Sequence, residues 1–302
     1  GIRKNYAGVY EYYVNKLPEN ISGELKIGEN DPCVSNLTIG SDYTISTNGS
    51  ERYIEPNHVK VSPSVTNIKA ETATNKYIDL VNLQNSFISY SAMLAENADS
   101  TEGFGFEGQY DSNSHTWQNI NRINVTAESG TVFYNIDDTN FSKINSDAII
   151  NFSDTSTASI VLNIDLKNIS WDRKPFRLNI GGNQPTMNED VILENNVNRI
   201  YYNFYDSSAA DKMTTKTVSM TDAAHGTIII PKGAAKVGSN WCGVIVANNI
   251  GATGESHFVG AYNPVVPTSA TVDVTVNKVW SEPSGQSHDS YYVKVDLMRS
   301  SA

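Results

Sequence analysis

The residue types that carry most enzyme chemistry are present in this chain, but their spacing assembles no familiar constellation. The histidines His58, His115, His225, His257 and His288 are scattered, and no pair has the spacing of a metal-binding HExxH helix. They read as surface or turn residues. There is no GxSxG elbow and no phosphate loop. Gly181-Gly182 reads as a turn between strands, because no helix pattern follows it to hold a phosphate. Carboxylates are plentiful, and pairs such as Asp137-Asp138 and Glu189-Asp190 offer the two acids a glycosidase needs. Adjacent acids in loops are ordinarily solvated, however. The stretch 135–140, Asn-Ile-Asp-Asp-Thr-Asn, is rich in oxygen ligands but lacks the D-x-[DN]-x-[DN]-G order of a calcium loop. It reads as a solvated bend. The expectation is a protein without a catalytic residue, a metal or a cofactor.

Two other features bear on binding. The run Tyr201-Tyr202-Asn203-Phe204-Tyr205 could stack against sugars or a peptide, with alternate residues on opposite faces of a strand and one of those faces in the core. Tyr201, Tyr202 and Tyr205 are the candidate ligand contacts. Cys33 and Cys242 could close one long loop as a disulfide or stand as two thiols. Thr residues are scattered and form no T-x-T array of the kind that orders water against ice. The formal net charge of −11 and pI near 4.9 argue against nucleic acid, whose phosphates need clustered Lys and Arg. No apolar run reaches the ~18 residues of a membrane span. Gly1 looks like a tag remnant, and the chain reads as a piece of a longer protein.

The elements that would position these residues are mostly strands. One amphipathic helix is expected over 74–98, with Thr74 as its N-cap. Its inward stripe would be Tyr77, Leu80, Val81, Gln84, Phe87, Ile88, Ser91, Leu94, Ala95 and Ala98. Such a helix needs a partner surface, and only β-structure is available to supply one. Residues 1–70 read as short strands at 24–27, 36–39, 42–45 and 58–61, in a spacing that suggests stacked β-coils. Further strands are expected at 120–125, 132–136, 148–152, 159–164, 176–180, 191–193, 199–204, 227–230 and 244–247. Several are apolar on consecutive residues, as in Ile160-Val161-Leu162, which implies burial on both faces. Beyond Pro264 and Pro267, two alternating strands at 271–280 and 291–298 read as a hairpin that cannot form a core alone and either packs onto the main body or starts a second β-domain.

Two resemblances sharpen this picture. The segment Val274-Thr275-Val276-Asn277-Lys278-Val279-Trp280, followed by Tyr291-Tyr292-Val293-Lys294-Val295-Asp296-Leu297, resembles the opening of the B-type repeat domain of Gram-positive collagen adhesins and pilins. That resemblance implies an isopeptide bond from Lys278 to a partner beyond Ala302. The segment TVFYNIDDTNFSKINSDAIINFSDTSTASIVLNID (131–165) looks like the core of the choice-of-anchor A family of adhesive surface domains. Arg199-Ile200-Tyr201-Tyr202-Asn203-Phe204 resembles that family's LWNF strand, the stretch 241–248 its GGSILAPNA strand, and 254–258 its closing GELH segment. The helix fits as well. Cys242 departs from the pattern, standing where Gly is usual, and the stretch 23–28 only loosely echoes the EGRVAVGG segment.

The resemblance implies a right-handed β-helix of the ice-binding-protein type over residues 1–266, with the helix of about 74–98 packed alongside. Residues 267–302 would be a linker and the first strands of an immunoglobulin-like B-type domain. It further implies an adhesin on a Gram-positive cell wall or pilus, binding a host extracellular matrix protein, a glycan or another cell without catalysis. Further repeat domains would follow beyond residue 302. The rival readings are a lyase-like enzyme on a β-helix, with Arg173 and Lys174 near Asp172 as its nearest echo, a structural spacer, and an ice-binding domain.

Overall fold

The computed structural model describes residues 2–6, 9–17, 21, 23–25, 34–185, 197–252, 254, 256 and 257. The protein is mainly β and divides into two compact units, Gly1–Leu83 and Gln84–Ala302. The expected strand at 191–193, Cys33, His288, Lys278 and the hairpin of 271–298 lie outside the described residues.

The first unit holds two four-stranded sheets. In one, Val9–Val14, Val34–Ile39 and Val65–Ala70 pair in parallel, and Ile2–Tyr6 adds antiparallel at the edge. In the other, Thr44–Asn48, Glu51–Glu55 and Val59–Val61 run antiparallel, with Glu24–Leu25 parallel at the far edge. Coil-like stacking is therefore present, but hairpins accompany it. Alternation in the sequence places Leu37, Ile39, Ile54, Val59, Val61 and Val65 inside, where they form one core with Leu17. On the outer side, Asn67 Nδ2 donates to Asn36 Oδ1 across neighbouring strands at 2.7 Å.

The second unit is built from stacked parallel strands. Thr131–Ile136, Ser159–Asp165, Ile200–Tyr205, Ala224–Val237 and Trp241–Ala252 lie side by side in register, all parallel, in a sheet that curls on itself. Past an irregularity between Ile230 and Ala234, the far half of Ala224–Val237 stays paired with Trp241–Ala252 and pairs on its other side with Thr217–Met220, which in turn pairs with Asp172–Arg173. A second stack sets Thr116–Val125, Ile144–Phe152 and Arg177–Ile180 in parallel, with Phe104–Asp111 antiparallel at its edge. The inward residues of both stacks, among them Ile123, Ile150, Leu162, Ile164, Phe204 and Ile228, share one large core. This arrangement is solenoid-like. At one corner Gly226 and Gly243 stack in register with φ of +138° and +145°, and a Cβ on Gly243 would stand 2.0 Å from the Gly226 carbonyl oxygen. Only glycine fits both the backbone and the approach there.

The long helix runs over Leu80–Ala95, shorter than the expected span at both ends. Asp79, not Thr74, caps it: the Asn82 amide donates to Asp79 Oδ1 at 3.1 Å, while Thr72 accepts from Asn75 in a turn upstream. Val81 is 61% exposed, and Tyr77 and Ala98 lie outside the helix, so these three leave the expected inward stripe. Leu94 packs with Val161, Tyr201 and Ile229 on the outward side of the first stack, joined by Tyr90 and Phe133. That stack is thus covered on both faces, which accounts for its consecutive apolar residues.

A polar column completes the seam. Asn135, Asn163 and Asn203 occupy one register position on three neighbouring strands. Asn203 Nδ2 donates to Ser91 O at 3.0 Å and to Asn163 Oδ1 at 2.9 Å, and Asn163 Nδ2 donates to Leu94 O at 2.8 Å. Asn135 Nδ2 reaches Asn97 O at 3.1 Å. Backbone carbonyls in the last turns of the helix and just beyond it thus receive side-chain donors from asparagines of the sheet.

Candidate functional site

Of the three aromatic candidates, Tyr201 and Tyr202 are taken up by the core. Tyr201 is buried under the helix. Tyr202 is fully buried in the core, where its hydroxyl accepts from the Phe176 amide at 3.1 Å. Its ring stacks with Phe176 and Phe204 and meets Trp241 edge-on. Burial holds the Tyr202 hydroxyl above the ordinary tyrosine range. Tyr205 is half-buried, and desolvation followed by nearby acids pushes it up to about 12. None of the three is an exposed ring.

Cys242 is buried in the core. Among the charged candidates, Arg173 lies with its guanidinium 5.1 Å from the Phe141 ring centre and 5.4 Å from that of Trp171, a cation held against aromatic faces. Its Nη2 donates to the Ile144 and Asn145 carbonyls, and burial lowers its pKa. Asp137 caps the short helix Asp138–Lys143 by accepting from the Asn140 amide at 2.8 Å, which assigns the acidic bend a local role. Among the described residues no group of three or more His, Cys, Asp or Glu is placed to hold a metal. His58 and His115 sit in turns with positive φ, as their sequence context suggests. His225 does not: it is 5% exposed, at the start of the Ala224–Val237 strand.

Two features reach solvent with ordered polar groups. The first is the outward side of the second stack. Arg122 pairs with Glu107 at 3.7 Å, Asn124 Nδ2 donates to Glu107 Oε1 at 2.6 Å, and Asn151 Nδ2 donates to Asn124 Oδ1 at 3.0 Å. Asn124, Asn151 and Asn179 form a second in-register asparagine column. One strand-row along, Asn145 Nδ2 donates to Asn121 Oδ1 at 2.9 Å. The inward residues of these strands are packed in the core, so the outer side chains are mounted on a stiff base.

The second is a cleft of about 480 Å³ beside that face, lined by Asp147, Lys174, Pro175, Arg177, Leu178 and Asp222 together with Gln184, Pro185 and the stretch 223–225. Lys174 Nζ lies 3.2 Å from Asp147 Oδ1 and 3.8 Å from Asp222 Oδ2, a lysine shared by two carboxylates. Arg177 Nη2 donates to the Asp147 carbonyl at 3.3 Å, and Arg177 has no carboxylate partner among the described residues. Of these residues only Lys174 and His225 stand out in the sequence. The others come from separate segments brought together by the coil, and no local motif announces them.

A family model described as "Putative Ice-binding-like adhesive domain" matches residues 8–258, which spans both compact units. No curated protein and no solved structure matches the chain.

Proposed function

Since the chain belongs to this family of ice-binding-like adhesive domains, we propose that it is the binding domain of a surface adhesin that attaches to a host matrix protein, a glycan or another cell through a stiff solenoid face. The observation that carries this reading is the outward network of Glu107, Arg122, Asn124 and Asn151, whose side chains are already ordered by mutual hydrogen bonds on a packed sheet. Groups fixed before binding lose little freedom on docking, so more of their interaction energy appears as affinity. A sheet face can also supply the ~1,200–2,000 Å² of total buried area that a stable protein interface needs. Adhesion requires no turnover, and the role is non-enzymatic.

The finer architecture belongs to the same proposal. Residues 1–266 form a β-helix, right-handed because crossovers between parallel strands almost always are. Residues 267–302 open a B-type repeat domain, with Lys278 as its isopeptide lysine, and further repeats lead to a Gram-positive cell wall or pilus. Cys33 and Cys242 are the candidates for a disulfide within the adhesive domain.

Binding of the purified chain to arrays of matrix proteins and glycans tests the reading. Saturable binding to one class is expected, weakened at least tenfold when Arg122→Ala and Asn151→Ala are combined, with the thermal melting curve unchanged. Depolymerisation of any polysaccharide on the array would replace the adhesin by an enzyme. Binding untouched by the double substitution would move the contact to another face.

A further inference from the structure

The cleft beside the adhesive face has a chemistry of its own. We propose that it is a subsite for an acidic sugar, with Arg177 taking the sugar carboxylate and Asp147 and Asp222 taking its hydroxyl groups; this assignment rests on the adhesive role proposed for the domain. Arg177 is exposed, gives one N–H to the Asp147 carbonyl at 3.3 Å, and has no carboxylate partner among the described residues. A guanidinium in that state keeps a planar fork of donors matched to a carboxylate, the geometry that makes such pairs bidentate and specific.

The two carboxylates face a different task. Lys174 stands between them, within 3.2 Å of Asp147 and 3.8 Å of Asp222, so one cation is spread over two anions. Each carboxylate has about four lone-pair sites and accepts only. Vicinal hydroxyls of a pyranose are donors of suitable number and spacing for these acceptors. Pro175 and Leu178 are buried and give the cleft a small apolar floor on which the C–H face of a sugar ring can rest. The volume of about 480 Å³ lies within the ~300–1,000 Å³ of small-molecule sites. No aromatic ring other than the His225 imidazole lines the cleft among the described residues, so a neutral sugar would gain little stacking there and would leave Arg177 unmatched. The charge of the ligand therefore decides recognition.

The chain as a whole carries a formal charge of −11, which repels anions at long range. Selectivity for a carboxylate must then come from the cleft itself, and this makes the proposal testable at single residues. The experiment is calorimetric titration of the full chain with oligosaccharides of glucuronate, of galacturonate and of sialic acid, each beside its carboxyl-reduced neutral counterpart. At least one acidic series is expected to bind, with the reduced counterpart at least tenfold weaker. Arg177→Gln should lose at least tenfold, Arg177→Lys should recover part of the loss, and Lys236→Gln, a charge change outside the cleft lining at the far end of the Ala224–Val237 strand, should leave binding unchanged. Equal binding of acidic and reduced sugars, indifference to Arg177→Gln, or no binding in any acidic series overturns the subsite. The adhesive reading stands or falls separately, by array binding and its sensitivity to the Arg122 and Asn151 pair.

Discussion

At the scale of single residues, the side chains that look suited to ligands are spent on cohesion. Asn203 shows how completely. Its amide donates both to Ser91 O and to Asn163 Oδ1, and its oxygen accepts from Ser91 Oγ at 2.6 Å, all fully buried. Asn203→Ala orphans those partners away from water, and the expected loss is about 2–3 kcal/mol in a denaturant titration. Asn203→Asp puts an acceptor-only carboxylate beside two oxygens. Its folded pKa would be raised, so this variant should be most stable at low pH and lose stability as the pH rises through that value. Tyr202 argues the same way: Tyr202→Phe removes a buried hydroxyl bonded to the backbone of Phe176, costing about 1 kcal/mol while leaving ligand binding intact. A binding defect in a folded Tyr202→Phe protein would contradict the core assignment.

At the scale of elements, the helix is legible where its neighbours are apolar and illegible where they are not. Periodicity marks Gln84, Phe87, Ile88, Ser91 and Leu94, but it does not tell a helical turn from the preceding loop, so it draws Tyr77 and Val81 wrongly into the stripe. Asp79 outcompetes Thr74 because its carboxylate can take the Asn82 amide and the Asn82 side chain together, at 3.1 and 2.8 Å. Asp79→Ala should cost about 1 kcal/mol. Leu94→Ala, which opens a void between helix and sheet, should cost about 3 kcal/mol; equal losses for the two would mean that the helix is held by its cap rather than by its seat. The strands Phe104–Asp111, Asp172–Arg173 and Thr217–Met220 escape detection because they are short, or rich in Gly and polar residues, and take their conformation from pairing with neighbours.

At the scale of the whole molecule, the coil is written in the sequence in a form that strand-by-strand reading passes over. Apolar-Asn-apolar triplets centred on Asn124, Asn151 and Asn179 recur at 27 and 28 residues, and those on Asn135 and Asn163 at 28, the two series alternating along the chain. Each series becomes one column of one stack. The acidic-sugar cleft has no such signal, because a coil brings residues 147, 174, 177 and 222 together only through its third dimension. Closure of the coil also buries phenols, and that gives the fold a definite alkaline limit. Desolvation pushes Tyr90 and Tyr205 up to about 12, and raises Tyr134, Tyr201 and Tyr202 as well. An unfolded tyrosine ionises near ~10. Between these values the native state holds protons that the unfolded state has released, so stability must fall as the pH rises. Below pH ~10 both states are neutral at these positions and no loss is expected. Tyrosinate absorbance and circular dichroism followed together should therefore show exposed tyrosines titrating first with the fold intact. The buried set should then ionise in one step with the loss of strand signal. If all sixteen tyrosines titrated together near ~10 while the strand signal persisted, water would have to reach the interior of the coil, and a dry core shared by the two stacks could not be right.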